Sequence, residues 1–398
     1  MQKNLPAKKV HLRYLDSLRG LAALTVVVHH ALLQFDFSGA RLGASQKWLL
    51  FAFQNGHYPV NFFIVLSGYC LMLPVLKSNY TLPGGALQFF KKRARRILPP
   101  YYFAMLLSLL LIALFVGTKT GTHWDVSIPV TKAGVVTHLL LLQDIFIETG
   151  ANINHAFWSI SVEWRIYFMF PVLLLLWRTV GPGRTVAAVA ATVVVLLGAL
   201  KYLHRAYPSI NNTPNGIDPH YLLLFALGML GADIAFSNNS FAKHWKGWQW
   251  GAGLVLLTAA IVASANLPVR YAKVPWQFID VLAGLWGVCL LLVCNAVQHS
   301  AAGRHETAKA VMSWKPLVAV GTFGYSLYLV HAPLLQVVSQ YVLGPLHLPV
   351  FTGFVLLATA GLAAIVLFAY VFFQVCERPF MTRPQPQRTL AVAAASAV

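Results

Sequence analysis

Arg19 and His30 stand eleven positions apart in the stretch LDSLRGLAALTVVVHH (15–30). On a helix that spacing is three turns plus about 20°, so the guanidinium and the imidazole share one face about 16 Å apart. Asp16 stands one turn before Arg19, close enough to pair with it. One stripe thus carries a carboxylate, a guanidinium and, near mid-membrane, an imidazole. His29 points about 100° away from it. An imidazole with an ordinary pKa of about 6.5 suits proton transfer at neutral pH. The plainer uses are an Arg19 that snorkels to the interface and a His30 bonded across helices. The shared face favours chemistry.

A second set lies in HAFWSISVEWRIYF (155–168). Ser159, Glu163 and Tyr167 recur every four residues and share a face, with Ser161 between the first two. Glu163 suits orienting or charge-balancing a histidine, or moving a proton; its plainer use is as a partner for Arg165. The run FFKKRARRILPPYY (89–102) reads as a short basic helix ending at Pro99-Pro100. Such a run commonly anchors on anionic lipid, but arginine forks also match phosphate oxygens. In NFFIVLSGY (61–69), Asn61, Ser67 and Gly68 allow close helix approach. In GYSLYLVHAPLL (324–335), His331 precedes Pro333, as a packing histidine near a kink or as a second polar anchor. Asp144, Asp233 and Asp280 stand isolated, with no role legible.

The elements that must position these groups are membrane helices. The 398 residues are 58% hydrophobic and only 10% charged, with mean hydropathy +0.65. A soluble domain carries about a quarter charged residues. The reading is an all-α polytopic membrane protein with ten spans, near 15–36, 58–76, 99–117, 156–177, 185–203, 219–236, 248–265, 277–297, 317–342 and 351–376. Thr137–Ile147 is too short to span and reads as an interfacial or re-entrant piece. Ten spans place 20 Lys and Arg on one side and 8 on the other, which puts both termini in the cytoplasm. The net charge of +19 then belongs to cytoplasmic loops and the lipid bilayer, and no nucleic-acid partner is expected. Cys70, Cys289, Cys294 and Cys376 all sit in apolar segments, so neither a disulfide framework nor a metal site is expected. The first apolar stretch reads as a retained helix rather than a cleaved leader. Residues 11–380 form one membrane domain, and 381–398 read as a disordered cytoplasmic tail. Each ionisable group inside a span costs about 2.5–3.5 kcal/mol on insertion scales, which marks it as a functional candidate.

Taken in order, Arg19-x10-His30, NFFIVLSGY, RARRILPPYY, FWSISVEWRIYF, GYSLYLVHAPLL and the terminal CERPF resemble the acyltransferase-3 family of integral membrane acyltransferases. The resemblance covers about residues 11–380. It implies a ten-helix domain that transfers an acyl group, often acetyl, from cytosolic acyl-CoA, with acetyl-CoA the expected co-substrate and no bound cofactor. It implies a carbohydrate or glycoside acceptor, while ten spans in an Ala/Val-rich, basic chain suggest a bacterial inner membrane. It makes His30 the catalytic residue, matches Arg19 to the family arginine and Arg93 with Arg96 to the basic pair, and assigns the acidic position to Glu163. In the expected mechanism Arg93, Arg96 and Arg19 hold the donor phosphates, and the donor arm runs inward along the first span. His30 acts as general base, and Glu163 orients it or stabilises its charged form; Asp16, Ser159, Ser161, Tyr167 and His331 support them, and a route through an acylated residue is the alternative to direct transfer. The rival class is a transporter or exporter using His30, Glu163 and Arg19 as a relay; the lack of an inverted repeat counts against it.

Overall fold

The computed structural model describes residues 12–237, 247–266 and 275–381, and among these no β-strand occurs. Lys3, Lys8 and Lys9 and nearly all of the expected tail lie outside the described residues. The chain begins with α1 (Arg13–Leu32), α2 (Ala44–Phe53), α3 (His57–Leu76) and α4 (Gly85–Leu111). Short α5 (Lys132–Leu139) and α6 (Ile147–Gly150) precede α7 (Trp158–Thr179), α8 (Pro182–Ala206) and α9 (His220–Phe236). Next come α10 (Gly247–Asn266), α11 (Trp276–Gln298), α12 (Glu306–Met312) and α13 (Lys315–Thr322). The last are α14 (Gly324–Val338), α15 (Val350–Leu356) and α16 (Leu362–Phe372).

Among the described residues, eight helical stretches are long and apolar enough to cross a membrane, the longest being Ala44–Leu76. This multi-pass, all-α architecture is the expected fold class. Of the other two expected spans, α9 has 17 residues, and α1 carries Asp16, Arg19 and both histidines in 20. Three boundaries differ from expectation. The basic run does not stop at Pro99-Pro100, because α4 continues through both prolines; membrane helices tolerate proline where neighbours satisfy the freed backbone. The expected ninth span is interrupted at Phe323, between α13 and α14. And α1 ends at Leu32, which puts His30 in its last turn rather than near mid-helix.

Two crossings fix the bundle. A Cβ on Gly228 of α9 would lie 1.9 Å from the Val65 carbonyl, and one on Gly68 of α3 would lie 2.1 Å from the Phe225 carbonyl. A Cβ on Gly321 of α13 would likewise sit 1.8 Å from the Asp16 carbonyl of α1. Only glycine lets these backbones touch, and such close approach is how helices associate where lipid competes for apolar surface. The segment 132–150 packs against α4 and α7. The hydroxyls of Tyr101 and Tyr102, well inside α4, donate to the carbonyls of His138 and Leu139. The buried Asp144 takes a two-pronged ion pair from Arg165, two turns into α7. That pair gives the isolated Asp144 its role and removes Arg165 as a partner for Glu163.

Candidate active site

A narrow cavity of about 150 Å³ opens among α3, α4, α7 and α14, with Arg19 its sole contribution from α1. On α3 its wall runs from Val60 to Leu71, about 16 Å along the axis. The expected route along the α1 stripe is therefore displaced. Beyond Arg19, α1 contributes nothing to this cavity, and Ala23, Val26 and Val27 are buried in the core.

At one end, here the basic end, stand Arg19, Arg93 and Arg96. Arg19 donates to Asp16 at 2.6 Å, the pairing that their spacing predicts. Its other Nη lies 3.6 Å from Cys70 Sγ. Helical periodicity splits the basic run: Lys91, Lys92 and Arg95 are exposed, whereas Arg93 and Arg96 turn into the cavity. Among the described residues neither arginine forms an ion pair within 4 Å, and Arg93 Nε is buried without a hydrogen-bond partner. Glu377 of the CERPF motif is buried nearby, where its charge acts on Arg96 and Arg19. It accepts from Ser326 at 2.5 Å. Sequence reasoning quoted that motif without giving its acid a place.

Midway along the cavity lies Glu163. It accepts from Ser67 at 2.9 Å and from Tyr167, one helical turn away. Ser159 and Tyr167 share its face as expected, and Ser159 Oγ lies 2.6 Å from the Tyr328 hydroxyl at the far end. Ser161 does not join them; it lies on another face of α7, buried and without a partner for its Oγ. Glu163 makes no hydrogen bond to His30, so the expected orienting contact is corrected.

That contact comes from His331. It lies on α14, one turn beyond Tyr328, and its Nε2 is 3.2 Å from His30 Nδ1. Hydrogen-bond chemistry fixes both tautomers. His331 Nδ1 is 2.7 Å from the Tyr328 carbonyl, which can only accept, so Nδ1 carries the hydrogen and Nε2 a lone pair. His30 Nδ1 therefore donates, shared between His331 Nε2 and the Val26 carbonyl at 3.0 Å. The nitrogen left with a free lone pair on His30 is Nε2. Pro333 frees the Leu329 carbonyl by lacking an N–H, and Asn154 Nδ2 fills the gap at 3.3 Å, holding α14 in place. His29 is a peg: its Nδ1 is 2.8 Å from the Phe53 carbonyl, and its ring fills the space where a Gly56 side chain would stand. His155 packs beside His30 with ring centroids 5.1 Å apart, and His123 packs on His155 at 4.8 Å. Burial pushes the His155 imidazole well below the usual histidine pKa, so it adds no positive charge.

A family model described as an acyltransferase domain matches residues 12–374. The putative peptidoglycan O-acetyltransferase YrhL of Bacillus subtilis (strain 168) is 24% identical, over 82% of this chain and 50% of its own length. Acyltransferase MdmB of Streptomyces mycarofaciens is 25% identical, over 82% of this chain and 80% of its own. O-acetyltransferase OatA of Staphylococcus aureus (strain NCTC 8325 / PS 47) is 23% identical, over 92% of this chain and 57% of its own. The chain thus spans little more than half of two of these relatives. No solved structure matches the chain. The match over residues 12–374 covers every element that builds the cavity, and the chain belongs to the acyltransferase-3 family.

Proposed function

We propose that this chain is a membrane O-acyltransferase that moves an acyl group from acyl-CoA at the basic end to a hydroxyl of a carbohydrate entering from the histidine end. The observation that carries this reading is the pair Arg93 and Arg96, facing the cavity with no ion pair within 4 Å among the described residues, while the cavity's other end stops one turn from the His30–His331 pair. Guanidinium forks left unpaired in a partly buried site favour a phosphate-bearing ligand. The names of the relatives, all bacterial, favour acetyl as the group, a bacterial membrane as the setting and a peptidoglycan-like glycan as the acceptor. The Lys and Arg bias favours a cytoplasmic basic end and cytoplasmic termini, on the side where acyl-CoA is found.

In the proposed reaction Arg93 and Arg96, with Arg19, hold the phosphates, and the narrow slot takes the pantetheine arm. His30 Nε2 removes the proton from the acceptor hydroxyl as its oxygen attacks the thioester carbonyl. The C–O bond forms, the C–S bond breaks, and the departing CoA thiolate takes the proton from His30. His331 is a positioning residue, since it keeps the hydrogen on His30 Nδ1. Glu163 lies beside the donor arm and holds Ser67 and Tyr167 against it.

The test is turnover by the purified protein in detergent with acetyl-CoA and a muropeptide acceptor. Release of free CoA with a matching acetyl mass on the glycan is the expected result. Transport of either compound in proteoliposomes without CoA release would replace this reading with the exporter.

A further inference from the structure

The histidine end holds a second polar assembly, built largely from residues that stand apart in the sequence. Asp280 of α11 accepts from Asn61 at 2.7 Å, from His57 Nε2 at 3.0 Å and from His220 Nε2 at 3.1 Å. The other ring nitrogen of His220 is 2.5 Å from Asp218, which also accepts from Gln277 at 3.0 Å. With both carboxylates ionised each nitrogen of His220 must donate, so an imidazolium 1% exposed is clamped between them. The line of side chains ends at His57, the first residue of α3, whose side chain is 22% exposed.

The tautomer of His57 follows from its partners. Asp280 can only accept, and the Tyr221 hydroxyl, 3.1 Å from the same nitrogen, spends its own hydrogen on the Pro214 carbonyl. Nε2 therefore carries the hydrogen, and a neutral His57 presents Nδ1 as a bare acceptor. The ring is held flat against Trp158, with centroids 5.6 Å apart and planes 9° apart, and edge-on to the partly exposed Trp276. Its place adjoins the proposed chemistry. Trp158 precedes the cavity residue Ser159, and Val60 of the cavity lies one turn from His57. Gly56, the preceding residue, cradles the ring of His29, the neighbour of His30.

We infer that His57 is an acceptor-binding residue: its Nδ1 takes a hydrogen bond from a hydroxyl of the carbohydrate, and Trp276 packs on the apolar face of the sugar ring. In this reading the donor enters from the opposite end, and the partly exposed His57 ring, held by Asp280 and Trp158, stands at the end from which the glycan arrives. The inference rests on the acyltransferase reading. A buried network that fixes one lone pair discriminates a hydroxyl from a group that lacks the proton to donate.

The test uses His57→Gln, whose amide keeps a donor for Asp280 and removes the ring acceptor. Purified protein is assayed with acetyl-CoA and a muropeptide, with thermal melting to verify the fold. The expected result is an acceptor KM raised about three- to tenfold, the worth of one hydrogen bond, with donor KM and acceptor-free CoA release unchanged. Trp276→Ala moves the same constant in the same direction. An unchanged acceptor KM in a folded, active His57→Gln protein overturns the inference, as does a donor KM that rises in parallel. If the unmodified protein releases no CoA, the acyltransferase reading fails first and takes this one with it.

Discussion

At the basic end Arg93 and Arg96 face the cavity with no ion pair within 4 Å among the described residues, whereas at the histidine end His30 and His57 are each tied to a partner that decides which nitrogen bears the proton. The difference follows from what each end is proposed to do. Holding a polyanion needs guanidinium forks that are not locked into a close ion pair. Moving a proton needs an imidazole in one tautomer and one orientation, so neighbours are required. Glu163 lies between, tied to Ser67 and Tyr167, and belongs to neither.

The comparison predicts effects of descending size. His30→Ala removes the base and lowers kcat about 10²- to 10⁴-fold, the usual range for general-base catalysis, in membranes with normal protein levels. Retained acetylation of the glycan there would break the assignment of chemistry to the histidine end. His331→Phe keeps an aromatic ring at the site, somewhat larger than the imidazole, and loses the acceptor for His30 Nδ1. It lowers kcat about three- to tenfold, as one lost hydrogen bond does, and leaves donor KM alone. A structural role would instead shift both constants and the melting temperature. Ser161→Ala leaves both constants within about twofold and the melting temperature no lower, since it removes a buried hydroxyl that has no partner. A large loss in that variant would show that the Ser-x-Ser-x-Glu stretch works through its other face.

What the sequence made legible is what one helix can encode. The Asp16–Arg19 pair, the common face of Ser159, Glu163 and Tyr167, and the split between His29 and His30 all follow from 3.6-residue periodicity. The His30–His331 contact joins residues 301 apart, and His57–Asp280 joins residues 223 apart. Such pairs depend on which helices pack together, and no single-helix pattern carries that. Asp144 and Asp280 looked isolated for the same reason. Glu163 was matched to the wrong partner because α3 places Ser67 against it while His30 sits beyond the cavity end. Reading Pro99-Pro100 as a stop applied a rule for water-exposed helices to one embedded in a bundle.

The most direct test of this division of labour is CoA binding by isothermal titration calorimetry to two variants, His30→Ala and the double variant Arg93→Ala with Arg96→Ala. The account predicts that His30→Ala binds CoA as the unmodified protein does while failing to transfer. It predicts that the arginine variant weakens binding by about tenfold or more, the loss of charge-assisted hydrogen bonds. Unchanged CoA affinity in the arginine variant, or an equal loss in His30→Ala, would contradict it.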